Sequence, residues 1–395
     1  MKRTIAVVNA GSSSIKFTLF GSTPGPELER VADGAIEGVG TAPLFRASDA
    51  RGARLTQYRW PASADRSHDA LLGHLIGWIE SHVGTDSLEA AGHRVVFGGA
   101  AQQAPTRVDP TVLAQLEALV PFMPLHLPHN LAPIRALAMT HPHLPQVACF
   151  DTAFHRTLPA IERRFALPRV LSEAGLVRYG FHGLSYEYIA SRLPDIDRRA
   201  AEGRTIVAHL GNGASLCALD AGRSVGTTMG FSVLDGLVMG TRPGWLDPGV
   251  LLYLIREKAY DAQRLERLLY DGCGLLGVSG LSSDMRTLLA SPEAAAREAV
   301  ELFCHRVVCA IGSLVAPLGG FDALVFTGGI GENAAPVRRR ICEALAWMGL
   351  SFDPDANDRA GPRISAADSR IAAWVVRTDE DLVIARHTRE LIGGD

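Results

Sequence analysis

The chain has 395 residues, of which 47% are hydrophobic and 21% charged, and its formal net charge is −3. This length predicts two globular domains, each with its own core, and excludes a small scaffold held together by disulfides. A chain so close to neutral lacks the basic surface that nucleic acid or an acidic membrane requires, so we expect its partner to be a small molecule or another subunit.

The first two apolar runs, residues 4–8 and 15–20, read as strands, the second with Ile15, Phe17 and Leu19 alternating onto one face, and the polar stretch NAGSSS joins them. They predict a β-hairpin, whose turn is either a plain polar turn or a loop that binds phosphate. Apolar residues then recur with helical spacing over 67–82, and Asp109 before Pro110 is a signal for the start of a second helix.

The opening pattern returns near residue 200, where RTIVAHLGNGASLCAL spans 204–219. An offset of 200 aligns Asn9 with His209 and Gly11 with Gly211. A short match of this kind also arises by coincidence. If it is an internal duplication, the chain contains two domains of similar topology that face a shared cleft.

A third glycine-rich stretch, ALVFTGGIGEN, spans 323–333. It predicts a buried strand, a tight turn and a helix over 334–348, whose first amides could bind an anion or admit a nucleotide. Before it, a long helix is expected over 292–316, capped by the sequence Ser-Pro-Glu that begins at Ser291. A strand over 371–377 and a terminal helix from about residue 380 close the chain.

Six cysteines lie along the chain without a C-x-x-C pair, several of them within apolar runs. This predicts reduced core thiols and a cytoplasmic location. No targeting signal is recognisable, and we expect no apolar stretch to reach the roughly 18 residues that a membrane span needs.

The chemistry of a P-loop kinase is excluded, because no Gly-Lys pair occurs in the chain. The three polar or glycine-rich turns remain as anion sites. For Lys16, after the first turn, both a phosphate contact and a solvent-facing position stay open.

Two arginines, Arg94 and Arg242, lie among glycines and apolar residues. A buried guanidinium needs a partner, which is either an anionic ligand or a structural aspartate. Asp151 directly follows an apolar strand, where ligands bind in α/β sheets. His182, in RYGFHG, is either a core residue or a catalytic one.

Four histidines (His126, His129, His141, His143) occupy a proline-rich stretch without a nearby cysteine, which argues against zinc. Glu380 and Asp381 are better candidates for Mg²⁺, which prefers oxygen ligands. Their alternative role is to complement the dipole of the last helix.

Nine motifs, in this order, resemble those of the acetate kinase family, within the acetate and sugar kinase, Hsp70 and actin superfamily. They extend from residue 5 to about 386 and read VVNAGSSSIKF, GHRVV, FDTAFH, RYGFHG, HLGNGAS, MGTR, GLLGVSGLSSDMR, FTGGIGEN and TDEDLVIAR. The resemblance implies an α/β protein with a duplicated ribonuclease-H-like (actin-like ATPase) fold, in which two domains surround a central cleft. It implies a first domain of 1–150 plus 380–395, a second domain of 151–379 that makes a homodimer, and no nucleic-acid or membrane partner.

The resemblance also implies a reaction, in which acetate and ATP form acetyl phosphate and ADP reversibly by direct in-line transfer. Arg94 and Arg242 would bind the carboxylate and the transferring phosphoryl group, Asp151 would lie near the attacking carboxylate, and His182 would hydrogen-bond the phosphoryl group. Asn9 and Glu380 would form the Mg²⁺ site, where Mn²⁺ is possible. The other implied positions are Ser12, Ser14 and Lys16 in the first phosphate loop; His209, Leu210, Gly211, Asn212 and Gly213 in the second; Asp284, Met285, Arg286, Gly329, Ile330 and Asn333 at adenosine; and Val96, Leu125, Phe181 and Val233 in the acyl pocket.

Some positions depart from the family pattern. Phe97, Leu127 and Trp245 are apolar where the family is usually polar, Val233 replaces the usual proline, and Tyr186 replaces the last histidine of GTSH. These changes leave a propionate or butyrate kinase open as an alternative. A phosphohydrolase of the superfamily and a non-catalytic ATP-binding module are the alternatives from other classes.

Overall fold

The computed structural model describes residues 3–22, 27–84, 87–359 and 361–393. The chain forms two compact units: unit 1 comprises Met1–Ala153 and Asp379–Asp395, and unit 2 comprises Phe154–Thr378. The sequence predicts these divisions after residues 150 and 379, and the compact units divide after residues 153 and 378.

The strands and helices of the described residues are numbered in chain order. The strands are β1 (Arg3–Ala10), β2 (Ser14–Ser22), β3 (Leu28–Glu37), β4 (Leu44–Asp49), β5 (Arg54–Arg59), β6 (Leu88–Val95), β7 (Thr106–Arg107), β8 (Gln146–Phe150), β9 (Arg204–Leu210), β10 (Ala214–Asp220), β11 (Arg223–Thr227), β12 (Ala323–Thr327) and β13 (Ala372–Val375). The helices are α1 (His68–Val83), α2 (Pro110–Glu117), α3 (Leu127–Thr140), α4 (Ala160–Arg163), α5 (Arg169–Glu173), α6 (Gly183–Ile196), α7 (Arg198–Glu202), α8 (Pro248–Lys258), α9 (Ala262–Asp271), α10 (Gly274–Ser279), α11 (Met285–Ala290), α12 (Ala294–Leu318), α13 (Gly328–Asn333), α14 (Ala335–Ala344), α15 (Pro354–Asp358) and α16 (Glu380–Ile392).

Unit 1 is built on a sheet with the strand order β5-β4-β3-β2-β1-β6-β8-β7. The strands β1 to β5 form an antiparallel meander, whereas β6 runs parallel to β1 and β8 runs parallel to β6. Ala6 and Val8 of β1 share a core with Leu71, Leu72 and Leu75 of α1, the helix whose apolar stripe the sequence predicts. The N-cap Ser67 accepts a hydrogen bond from the N–H of the third helical residue, which explains where α1 begins.

Unit 2 is built on a sheet with the strand order β11-β10-β9-β12-β13. The strands β9 to β11 are antiparallel, and β12 and β13 continue the sheet parallel to β9. This order and these directions match β3-β2-β1-β6-β8 of unit 1, with β1 and β9 in equivalent places. The sequence repeat at an offset of 200 is therefore a duplicated topology, and the predicted duplicated α/β fold is confirmed.

Helix α12 corrects one expectation, because it is long and apolar enough to cross a membrane by length and composition alone. Nine of its residues, among them Phe303, Val307 and Ile311, are buried in unit 2, as expected for the core helix of a globular domain.

Helix α12 begins at Ala294 after an N-cap at Glu293. The hydroxyl of Ser291 accepts a hydrogen bond from the N–H of Glu293 and does not cap the helix.

Four of the six cysteines follow the predicted pattern, and Cys273 is half-buried. Cys149, Cys217, Cys304 and Cys342 are buried, and no disulfide joins any of the six cysteines in the part of the chain that the structure describes. The prediction of core thiols is wrong for Cys309, which is exposed on α12.

Candidate active site

The first polar loop joins β1 to β2 as a hairpin turn, closed by a hydrogen bond from the N–H of Gly11 to the carbonyl oxygen of Ser14 (2.9 Å). Ser12 and Lys16 are exposed, and Ser14 is half-buried. Lys16 on β2 lies opposite Asn9 on β1, which is also half-buried. The turn therefore leaves hydroxyl, ammonium and amide groups accessible at one end of the sheet.

Arg94 and Asp151 form a two-pronged ion pair in unit 1. Arg94 donates from Nε and Nη2 to the two carboxylate oxygens of Asp151, over 2.9 and 2.7 Å. The pair forms because β6 and β8 are parallel neighbours: Arg94 lies in β6, and Asp151 directly follows β8. Of the two partners possible for a buried arginine, Arg94 has the structural aspartate, which is 1% exposed.

Glu380 adds a second carboxylate to this pair from the first turn of α16, with Oε2 3.9 Å from Nη1 of Arg94. Burial raises the pKa of Glu380, and the charges of Asp151 and Asp381 raise it further against Arg94 and Lys16. Burial lowers the pKa of Arg94, but Asp151 and Glu380 outweigh burial and raise it above its ordinary value. The cluster thus holds three carboxyl groups around one guanidinium.

A buried amide that sequence reasoning missed connects the first loop to the predicted acyl pocket. Asn130 of α3 donates from Nδ2 to the carbonyl oxygen of Ala10 (2.7 Å) and accepts at Oδ1 from the N–H of Val96 (2.9 Å). Its side chain is buried, as are those of Leu131 and Ile134 on the same helix. In the sequence, a polar residue among the apolar positions of a predicted helix could have indicated this buried amide.

The second glycine loop joins β9 to β10, at the place in unit 2 that the first loop occupies in unit 1. The N–H of Gly211 donates to the carbonyl oxygen of Gly213 over 3.0 Å, and the exposed Asn212 accepts from the N–H of Gly240 over 2.9 Å. The side chain of Leu210 is fully buried, so this residue offers a ligand only its backbone.

His182 precedes α6 with a left-handed backbone (φ 58°), which is strained for a residue with a side chain. Its ring stacks on that of His209 with centroids 4.4 Å apart. A serine hydroxyl lies 2.8 Å from Nδ1 of each histidine, Ser215 at His182 and Ser185 at His209. Both rings are therefore held through Nδ1 by neutral hydroxyl groups.

Arg242 lies beside His182 at the second loop. A Cβ atom placed on Gly213 would lie 2.8 Å from Nη2 of Arg242 and 3.1 Å from Nε2 of His182, so both groups face the space that this glycine leaves open. Arg242 donates to the carbonyl oxygen of Val233 over 2.8 Å, and no carboxylate among the described residues forms an ion pair with it.

Burial lowers the pKa of Arg242 to about 10, against the opposing effect of Tyr270. A cation that burial penalises and that no carboxylate neutralises fits the other partner that the sequence allows, an anionic ligand. Arg94 and Arg242 thus differ in whether a carboxylate neutralises their charge, although their sequence contexts are alike.

The predicted acyl-pocket residues divide between the units, with Val96 and Leu125 in unit 1 and Phe181 and Val233 in unit 2. Three of them are buried, whereas Leu125 is 39% exposed.

The departures from the family pattern differ in their surroundings. Phe97 is buried against the ring of Phe122, and Leu127 is fully buried in unit 1. Trp245 is 38% exposed, so of the three apolar replacements it is the one whose side chain is open to solvent.

The predicted adenosine residues lie at α11 and α13 of unit 2. Asp284 caps α11 and pairs through both oxygens with Arg286, and both side chains are exposed, whereas Met285 is buried. The stretch after β12 is the short helix α13, where the sequence predicts a tight turn. Only its first residue, Gly328, has a turn conformation (φ 77°). A Cβ there would also lie 2.8 Å from the carbonyl oxygen of Leu210, so both observations explain why the position is glycine.

The exposed end of α13 carries the rest of this predicted set. Gly329 and Asn333 are exposed and Ile330 is half-buried. The amide of Asn333 donates to the carbonyl oxygen of Gly329 over 2.9 Å.

Comparison with known proteins supplies the remaining observation. The model of the acetokinase family matches residues 4–386. The chain belongs to the acetokinase family. It is 55% identical over 399 residues to an acetate kinase of Rhodopseudomonas palustris, with 100% of both chains covered.

Solved structures of the acetokinase family superpose on the whole chain. A propionate kinase of Francisella tularensis has a TM-score of 0.91 at 34% identity, covering 98% of this chain and 99% of that one. An acetate kinase of Porphyromonas gingivalis has a TM-score of 0.87 at 32% identity, covering 99% and 100%. As an acetokinase-family member, the chain is a kinase that transfers phosphate to a carboxylate.

Proposed function

We propose that this kinase phosphorylates acetate with ATP, forming acetyl phosphate and ADP reversibly by direct in-line transfer. The observation that carries the proposal is Arg242: a half-buried cation that lies beside His182 and the second glycine loop and lacks a carboxylate partner within the described residues. A phosphoryl group is the anion that such a site accommodates.

A carboxylate attacks phosphorus without losing a proton, so the enzyme needs no general base. Catalysis then rests on alignment and on neutralising the charge of the equatorial phosphoryl oxygens. Arg242 and His182 would neutralise this charge. Asp151 would hold Arg94 through both oxygens, and Arg94 would orient the carboxylate of the acid.

Mg²⁺ fits the acidic cluster of unit 1, with Asn9 and Glu380 as the proposed ligands and Mn²⁺ as a possible substitute. Burial, and to a lesser extent the charges of Asp151 and Asp381, raise the pKa of Glu380, and a divalent cation bound beside it would oppose this rise. The described residues hold no group of three or more His, Cys, Asp or Glu side chains arranged for a metal ion. This fits Mg²⁺, which usually binds one or two carboxylates together with water and substrate phosphates. When bound, the ion would neutralise phosphate charge.

The remaining predicted residues would bind ATP. Ser12, Ser14 and Lys16 would contact phosphate oxygens from the first loop, and His209 with residues 210–213 would do so from the second. The adenosine would lie against α11 and α13, where Gly329 has no neighbouring atom within 4 Å of an added Cβ and so leaves room for a nucleotide.

An acyl-phosphate assay with hydroxylamine, run with acetate, propionate and butyrate, tests the proposal. We expect the highest kcat/KM with acetate, and a clear preference for propionate or butyrate would overturn acetate as the acid. The comparison of acids is needed because the solved relatives include both acetate and propionate kinases. A phosphohydrolase would release phosphate from ATP without any acid. A non-catalytic ATP-binding module would be unaffected by His182→Ala.

We also propose a homodimer, supported by α8 of unit 2. None of its residues is buried, although several of them are large and apolar. Leu252, Tyr253 and Ile255 are 50%, 53% and 47% exposed. An apolar helix with no buried face within its own chain is typical of a subunit interface. Light scattering should give the dimer mass, and Leu252→Glu should give the monomer.

We further propose a cytoplasmic location, where ATP is available. Cell fractionation tests this location.

A further inference from the structure

Tyr186 lies on α6 one helical turn after His182, at a position where the family usually has a histidine. It is fully buried, and its ring lies 5.6 Å from that of His155. Its hydroxyl forms a hydrogen bond with Oγ of Ser215 on β10, a residue that is also fully buried. The same Oγ lies 2.8 Å from Nδ1 of His182. Three residues thus form a continuous chain from phenol to hydroxyl to imidazole.

The number of protons available limits the direction in which these hydrogen bonds are donated. A serine hydroxyl has one proton, which it can donate to only one neighbour. A phenol is a stronger donor than an aliphatic hydroxyl, so Tyr186 donates to Ser215, and the serine proton is then directed at Nδ1 of His182.

A neutral imidazole that accepts at Nδ1 carries its proton on Nε2. Nε2 of His182 is the atom that would lie 3.1 Å from a Cβ on Gly213, beside Nη2 of Arg242. These hydrogen bonds therefore direct the Nε2–H of His182 toward the second glycine loop, where the proposed reaction needs a donor for a phosphoryl oxygen.

We propose that Tyr186 is a positioning residue, which acts through Ser215 to hold His182 in the tautomer with its proton on Nε2. The inference rests on the proposed role of His182 in phosphoryl transfer. It also explains how a tyrosine serves at a position where the family usually has histidine. Tyr186 touches neither substrate in this account, so its effect belongs to the transfer step and not to binding.

The test compares Tyr186→Phe with the parent enzyme as full-length chains labelled with ¹⁵N-histidine. His182 is identified in the spectrum by the signals that His182→Gln removes. We expect the ¹⁵N shifts of His182 to move from one tautomer toward a mixture, since Ser215 then donates or accepts equally well. Residues that orient a metal-ligating histidine typically contribute about 10–100-fold to affinity or activity, and we expect an effect of the same order here. We therefore expect kcat to fall about 10-fold or more, with KM for both substrates unchanged.

Tyr179→Phe is the matched control, because it removes one hydroxyl in the same unit, which donates to the carbonyl oxygen of Gly175 over 3.0 Å. It should leave the His182 signals and kcat unchanged. If Tyr186→Phe does not fold, Ser215→Ala breaks the same chain with a smaller change of volume.

The outcomes separate the inference from the function on which it rests. Unchanged His182 shifts in Tyr186→Phe overturn the inference, even if kcat falls, because the loss is then one of packing. A changed tautomer with normal kcat also overturns it. Normal kcat in His182→Ala instead contradicts the proposed role of His182, and the tautomer of the parent enzyme still reports on the hydrogen-bond chain.

Discussion

The two units share a strand order and a hairpin loop at the same place, but their sites have opposite electrostatic character. Unit 1 surrounds Arg94 with the carboxyl groups of Asp151 and Glu380, whose charges raise the pKa of the arginine. Unit 2 surrounds Arg242 with a backbone carbonyl group and a histidine, and burial lowers its pKa to about 10.

This difference shows how a duplicated fold acquires two roles. A charge that the protein itself neutralises serves to orient other groups, because its partners fix its geometry. A buried charge that lacks an internal counterion is ready for a ligand that supplies one. The acidic half is suited to a cation, and the other half is suited to the phosphoryl anion.

Removal of Arg94 should produce the largest effect on stability. Arg94→Ala leaves the buried carboxylate of Asp151 without its partner, and breaking a buried pair in this way costs about 3–5 kcal/mol. We expect urea unfolding, followed by circular dichroism, to show an early transition that the parent enzyme lacks. Arg94→Ala with the stability of the parent enzyme would contradict the internal neutralisation described for unit 1.

Arg242→Ala should instead lower activity and leave stability unchanged. It removes a donor to the developing charge, and one such donor contributes about 3–4 kcal/mol, or 10²–10³ in kcat. Stability should not fall, because no internal carboxylate is left unpaired in the described residues. Acyl-phosphate kinetics and urea unfolding on the same sample check both statements. Equal losses of stability in Arg94→Ala and Arg242→Ala would abolish the contrast between the units.

A buried histidine should make unit 1 sensitive to acid. His93 of β6 bonds to Oε1 of Gln146 through Nε2 (2.9 Å), and burial lowers its pKa from 6.5 to about 4. Because the folded pKa is the lower one, this stability is complete above pH 6.5 and is lost as the pH falls through 4. At pH 5 the loss is about 2 kcal/mol.

Unfolding of His93→Gln between pH 7 and pH 5 checks this expectation. The variant should lose about 2 kcal/mol less over this range than the parent enzyme does. His143→Gln is the matched control, since His143 is exposed in the same unit, and it should follow the parent enzyme. Identical pH dependence in the parent and His93→Gln would refute the prediction.

The smallest expected effect concerns the acidic cluster. Mg²⁺ at ten times its Kd should stabilise the parent enzyme by about 1.4 kcal/mol, visible as a rise in Tm that a chelator reverses. Glu380→Gln should abolish this rise, whereas Glu117→Gln, at an exposed carboxylate of the same unit, should preserve it. A full Mg²⁺ response in Glu380→Gln would remove Glu380 from the proposed metal site.

The sequence by itself determined the elements and the repeat of the fold. Alternation over 15–20, helical spacing over 67–82 and the cap before Pro110 depend on neighbours in the chain, and the structure forms β2, α1 and α2 there. The repeated strand, loop and strand near residues 9 and 209 likewise became two equivalent hairpins. Local backbone preferences and periodic burial suffice for such features, and the ordered motifs sufficed for the family.

Only the tertiary structure decided what each polar side chain contacts. Arg94 and Arg242 are alike in sequence context, but strand pairing brings Asp151, 57 positions away, to the first and no carboxylate among the described residues to the second. Ser215 reaches Tyr186 from another element, 29 positions away. These partners lie far apart along the chain, and local sequence carries no record of which distant group will neutralise a charge or orient a ring, because that depends on which strands pair in the folded chain.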